Sequence, residues 1–195
     1  MIEFRILKHF KVAIHPPNAP QIKEVIWSPP IFNWIKVNTD GAALKNPEKA
    51  SAGGIFRDKD GLCIGCFAQN LRSMNAYQAE LMAAIIAMEI AQSKNINTLW
   101  LETDSQLVFL ALKSSSIIPW SIRNRWQNCL NYVNSIGFIF SHVYREGNAC
   151  ADGMANLGLS LPLNFLSLYS DVPDVIRGEY IMNRWGIPKF RFVKL

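Results

Sequence analysis

The chain alternates between short apolar runs and longer stretches of helical periodicity. In Trp34–Thr39 the order Ile-Lys-Val-Asn sets apolar against polar positions with a period of two, which predicts a half-buried strand. Gly53–Arg57 and Leu62–Ala68 are apolar runs on either side of Asp58-Lys59-Asp60-Gly61. Asp and Gly suit a tight turn, so these segments read as a hairpin. Ala76–Ser93 is rich in Ala, Leu, Met and Glu, with Leu81, Ile85 and Met88 at helical spacing, and predicts a long helix. Thr98–Glu102 reads as a strand, Ser105–Lys113 and Trp120–Ser135 as helices, Phe138–Val143 as a strand and Ala149–Leu157 as a helix. The order β-β-β-α-β-α-α-β-α predicts an α/β fold. Strands joined by short turns lie antiparallel, and strands reached through helices can run parallel. The expectation is a mixed five-stranded sheet, strands 1–3 antiparallel and strands 4 and 5 parallel to strand 1, flanked by helices.

The flanks follow a different pattern. Pro16, Pro17, Pro20, Pro29 and Pro30 crowd one short region. Proline fixes φ and restricts the residue before it, so residues 1–32 read as a leader and extended linker. Residues 33–160 form the compact unit. Residues 161–195, interrupted by Pro162, Pro173, Gly178, Gly186 and Pro188, read as an extension that docks partly on that unit. Trp120 and Trp126 are expected to anchor the core.

Composition narrows the class. Half of the 195 residues are hydrophobic, enough for a core without disulfides. Cys63 and Cys66 form a lone C-x-x-C with no second close pair, so strand packing is expected of them and not a zinc site. Residues 1–12 lack the continuous apolar core of a secretory signal, and Leu157–Tyr169 is too short to span a bilayer. A soluble intracellular protein, nuclear or cytoplasmic, monomeric and free of membrane, is expected. The net charge of +5 sits largely in the flanks. So small a surplus is compatible with polyphosphate partners but does not demand them.

Four acids carry the candidate chemistry. Asp40 lies just past the middle or at the end of the first strand, and Glu80 in the first turns of the long helix. Asp104 starts the helix after the fourth strand, and Asp152 lies early in the last helix. If the first and fourth strands are neighbours, all four carboxylates can converge. Converging carboxylates repel one another, and oxygen donors suit hard divalent cations. Two such ions could assist phosphoryl displacement. Each acid alone also has a plainer reading. Asp40 could be a turn residue, Glu80 a solvated helix residue, and Asp104 and Asp152 caps. Spacing does not choose between these.

The surrounding residues add a resemblance. Lys36-Val-Asn-Thr-Asp-Gly-Ala42 resembles the first-strand motif of the ribonuclease H family, and Ala52-Gly-Gly-Ile-Phe-Arg-Asp58 its second strand. Ala79-Glu-Leu-Met-Ala-Ala84 resembles the segment carrying the family's glutamate, and Glu102-Thr-Asp-Ser105 its Thr-Asp-Ser motif. His142-Val-Tyr-Arg-Glu-Gly-Asn148 and Ala151-Asp-Gly-Met-Ala155 resemble its last strand, loop and helix. The similarity covers about Trp34–Leu159 and is greatest to plant reverse-transcriptase-like domains derived from non-LTR retroelements.

That resemblance implies a ribonuclease H-like fold and endonucleolytic hydrolysis of the RNA strand of RNA–DNA hybrids. Asp40, Glu80, Asp104 and Asp152 would hold two Mg²⁺ ions, with Mn²⁺ an alternative. One ion would activate water and the other would stabilise the leaving 3′-oxygen. Gly53, Gly54, Gln106 and Asn38 would contact the substrate. Two features depart from the family. The loop Arg145–Asn148 is short and lacks the histidine of many members, His142 standing in the strand before it, and no basic protrusion is evident. The alternative is a retroelement remnant that binds nucleic acid or protein with little catalysis.

Overall fold

The computed structural model describes residues 9–10, 21–45 and 48–193. Residues 1–8 and 11–20 of the expected leader, with three of its five prolines (Pro16, Pro17 and Pro20), lie outside that description.

The expected strands and helices are present and several are longer than the pattern suggests. β2 (Ile35–Lys45) pairs antiparallel with β3 (Glu48–Arg57), which pairs antiparallel with β4 (Cys63–Asn70). Before them, β1 spans Gln21–Val25. Helix α1 (Ala76–Ser93) starts at Asn75, whose side chain accepts the Gln78 N–H while the Gln78 side chain accepts the Asn75 N–H. β5 (Thr98–Thr103) runs parallel to β2. Helix α2 (Gln106–Lys113) starts at Ser105, whose hydroxyl accepts the Val108 N–H. Two short 3-10 turns lead to α3 (Arg123–Val133), then to β6 (Gly137–His142), parallel to β5. Helix α4 (Ala149–Gly158) follows.

The sheet is mixed, as expected, and gains a sixth strand. β7 (Leu166–Tyr169) pairs antiparallel with β4, giving the order β6-β5-β2-β3-β4-β7. This strand comes from the stretch read as an extension. It satisfies the backbone groups along what would otherwise be an open edge of β4. Helix α5 (Asp174–Arg184) packs on α4 and buries Ile176 and Asn183. β8 (Lys189–Val193) pairs antiparallel with β1 in a separate two-stranded sheet. The described end of the linker and the end of the extension therefore meet.

The two faces of the main sheet differ. Val37, Leu99, Leu101, Phe56 and Phe67 pack with α1 and α3 in an apolar core. On the other face Ile55, Cys66 and Ala68 pack with Cys150 and Met154 of α4 and Ile176 of α5. β2 places Lys36, Asn38 and Asp40 on alternate positions of one face, and all three are buried. Trp126 is buried in the core, as expected, but Trp120 is not a core anchor: it is 87% exposed. It opens a 3-10 turn before α3, and it is Ile122 of that turn that is buried.

Candidate active site

Register alone brings the first two acids together. Thr39 of β2 pairs with Thr103 of β5, so Asp40 and Asp104 each lie one residue beyond the same rung. Glu80 arrives because the start of α1 comes very close to β2. A Cβ on Gly41 would stand 2.2 Å from the Glu80 backbone nitrogen, so only glycine permits this approach. The Gly41 N–H donates to Glu80 Oε2 at 3.2 Å. Carboxylate oxygens of Asp40, Glu80 and Asp104 all lie within 4.8 Å of one another.

Asp152, in the first turn of α4, lines the same cavity of about 360 Å³. Its carboxylate stands outside the group of three. Arg145 Nη2 donates to Asp152 Oδ1 at 3.1 Å, and Asn156 Nδ2 donates to Oδ2 at 2.9 Å. Asn148 is the N-cap residue of α4 but makes no side-chain capping bond; its side chain donates to Asp104 Oδ1 at 2.9 Å and to the Thr39 carbonyl at 3.0 Å. Asp104 is thereby aimed by a side chain that the motif reading left unassigned.

The electrostatics follow from burial. Desolvation, with Asp104 and Asp152 nearby, pushes the Asp40 carboxyl up to about 7. Desolvation, then the charges of Asp40 and Asp104, push Glu80 up to about 9. Without a cation at least one proton stays on the pair. The donor set is entirely carboxylate oxygen, which fits a hard divalent cation and not a soft one.

The expected substrate contacts divide. Gln106 is exposed at the start of α2, beside Asp104. Asn38 is fully buried, and its amide serves the interior. Its Nδ2 donates to Glu102 Oε2 at 3.0 Å and to Asn148 Oδ1 at 3.2 Å. Its Oδ1 accepts from Trp27 Nε1 at 3.0 Å and from Arg57 Nη2 at 2.7 Å. No polar atom of Asn38 is left for a substrate. Gly53 and Gly54 also face inward. A Cβ on Gly53 would meet the Ala155 nitrogen of α4 at 2.2 Å, and one on Gly54 would meet the Phe67 ring at 2.4 Å. These glycines seat α4 and Phe67 on β3; the close approach they allow is internal. His142 ends β6, its Nε2 at 2.9 Å from the Asp104 carbonyl, and does not line the cavity.

Beneath the acids lies a polar network that the sequence reading did not anticipate. Lys36 Nζ donates to Glu102 Oε1 at 3.2 Å and sits 3.8 Å from the Trp100 ring centroid. Arg57 stacks on Trp27 at 3.4 Å and donates to Asn183 Oδ1 of α5 at 3.0 Å. Burial lowers the pKa of both cations, and Glu102 opposes this. Lys36 and Arg57 could have been suspected from one signal, two cations at the inward rungs of strands otherwise apolar.

Comparison with known proteins agrees with this geometry. A family profile described as reverse transcriptase-like matches residues 38–158. An Arabidopsis thaliana protein, provisionally named a ribonuclease H protein, is 37% identical over 180 residues. That match covers 90% of this chain but 28% of the relative, so the chain spans little more than a quarter of its length. RNase H1 from the halophilic archaeon Halobacterium salinarum gives a TM-score of 0.58 at 26% identity, over 65% of this chain and 97% of that one. LC11-RNase H1, solved in complex with an RNA/DNA hybrid, shares the fold with a TM-score of 0.57 at 22% identity, over 64% of this chain and 96% of its own. With its motifs in order, its first five sheet strands running in the expected directions and this match across most of its length, the chain belongs to the reverse transcriptase-like family and has a ribonuclease H-like fold.

Proposed function

We propose that this domain hydrolyses the RNA strand of RNA–DNA hybrids endonucleolytically, with divalent cations, Mg²⁺ first and Mn²⁺ as an alternative, held by Asp40, Glu80, Asp104 and Asp152. The observation that carries this reading is the meeting of three carboxylates within 4.8 Å, with Asp152 on the same cavity wall. The solved relative holding a hybrid on the same fold supports the substrate class.

Bound divalent cations supply Lewis acidity and neutralise charge at the reacting phosphate oxygens. The chain's own residues prepare their place. Asp40 and Glu80 give up the protons that burial now favours. The Gly41 N–H fixes one Glu80 oxygen, and Asn148 fixes one Asp104 oxygen. Arg145 holds Asp152 toward the cavity and keeps its guanidinium largely exposed, where a backbone phosphate would pass. Gln106, exposed two residues after Asp104, would meet a 2′-hydroxyl or base edge in the shallow minor groove of a hybrid.

A second reading, binding without turnover, draws on the Arg145–Asp152 pair: one of the four acids is already neutralised by the protein's own cation. Cleavage of a labelled hybrid separates the two. The parent protein should cleave only with Mg²⁺ or Mn²⁺, and Asp104→Asn should lower the rate by roughly 10³-fold, the scale of lost cation stabilisation. A folded parent that binds hybrid without metal-dependent cleavage would establish the second reading. Equal cleavage of duplex DNA would overturn the substrate assignment.

A further inference from the structure

β4 contains an irregularity with chemical consequences. Arg57 pairs with Cys63, but the next rung pairs Phe56 with Gly65, so Ile64 is an extra residue bulged from the strand. In a regular strand, residues three apart point to opposite faces. The bulge cancels that alternation. Cys63 follows Arg57, Cys66 follows Ile55, and both thiols emerge on the α4 side of the sheet. Their sulfurs stand 3.5 Å apart. Cys63 is partly exposed and Cys66 is buried. The Cys63 N–H donates to the Tyr180 hydroxyl of α5 at 3.1 Å, which ties this end of the strand to the C-terminal helix.

We propose that Cys63 and Cys66 are a redox-active dithiol, Cys63 attacking and Cys66 resolving, oxidised to an intrastrand disulfide by low-molecular-weight disulfides. Three observations carry it. The sulfurs are already in contact, and closing to a bond of about 2.05 Å needs side-chain rotation of both residues without unfolding the strand. Only one of the two is open to solvent, as an attacking and a resolving thiol require. The Arg57 guanidinium lies beneath them on the same face. The electrostatics agree in direction: the Cys66 S–H, the Gly65 N–H and Arg57 hold the Cys63 thiol below its ordinary range.

The chemistry balances as two exchanges. The Cys63 thiolate attacks one sulfur of the oxidant RSSR, forming a protein–SR mixed disulfide and releasing RS⁻. Cys66 sulfur then attacks Cys63 sulfur, the second RS⁻ leaves, and the Cys66 proton passes to it. The dithiol loses two electrons and RSSR gains them. Cys129 and Cys150 are buried on other elements and stay reduced.

The test uses oxidised glutathione on the folded protein, followed by alkylation and peptide mass mapping. The expected product is monomeric, has lost two of its four free thiols, links Cys63 to Cys66, and reverts with dithiothreitol. Cys66→Ser should instead accumulate glutathione on Cys63, and Cys63→Ser should leave Cys66 unmodified. Wild-type protein that stops at the mixed disulfide, forms only intermolecular dimers or remains fully reduced would overturn the proposal. Because that result is read on the parent chain, it stands whether or not a serine variant folds.

Discussion

Asp40 and Glu80 sit where burial and neighbouring charge both oppose ionisation, and this makes a signed prediction. Their folded-state values, about 7 and about 9, lie above ordinary carboxylate values. The folded protein therefore binds protons that the unfolded chain releases. That contribution to stability is complete below about pH 4 and is lost as pH rises through the two folded values. A divalent cation needs both groups deprotonated, so its affinity climbs over the same range. The melting temperature without metal should fall from about pH 5 to pH 9, and the increment given by Mg²⁺ should grow. Scanning calorimetry with and without Mg²⁺ across that range would show it. A Mg²⁺ increment independent of pH would contradict the assignment of these two acids. At Asn148 the prediction is kinetic. Removing a hydrogen bond that orients a metal-holding carboxylate typically costs 10- to 100-fold, so Asn148→Ala should lower metal affinity or kcat by about that factor. A titration of rate against Mg²⁺ separates the two.

At the scale of elements, close backbone contacts place the acids. Helix α4 lies on β3 at Gly53, with backbone atoms of Met154 and Ala155 where a side chain would go. Neither partner can yield cheaply, so Gly53→Ala should cost about 3 kcal/mol through overpacking. That corresponds to a fall in melting temperature of roughly 10 °C for a domain of this size, measurable by thermal denaturation. The elements themselves were largely legible. Asn75 and Gln78 mark the start of α1, and the alternation in Trp34–Thr39 marks β2. What failed was extent. β2 continues to Lys45 through Gly41-Ala-Ala, residues of low strand propensity, because β3 supplies a partner at every rung. The four acids were legible only through their motif context. Asn38 was misread for a physical reason: a polar residue on the alternate face of a strand looks solvent-facing unless something covers that face. Here Trp27 and the Arg57 side chain cover it, and Trp27 lay outside the recognised pattern.

Across the whole molecule, the segments on either side of the ribonuclease H-like motifs complete the interior. Gln21–Val25 pairs with Lys189–Val193, partners too distant in sequence for local periodicity to connect. Trp27 is buried over Arg57, and Asn183 reaches Arg57 from α5. From Asn183 the hydrogen bonds run through Arg57, Asn38 and Asn148 to Asp104. The C-terminal flank is thus linked to an acid of the cavity through three intervening side chains. Trp27→Ala should destabilise the fold by about 3–5 kcal/mol, the usual range for emptying a buried aromatic site. Chemical denaturation would measure this. An unchanged midpoint would show that the N-terminal segment is not part of the cooperative unit.

The guanidinium of Arg57 cannot discard its charge easily, and it sits almost wholly out of water. Its acceptors on Asn38 and Asn183 are therefore obligations as much as contacts. A chain that loses α5 while keeping Arg57 removes one of the two acceptors of a buried cation; one that keeps α5 but replaces Arg57 leaves the Asn183 amide oxygen only the weak Cys150 thiol donor. Evolutionary change at positions 27, 57 and 183 should consequently be concerted. Descendants that shed the C-terminal helix should also have exchanged the arginine, and the three positions should drift as one character.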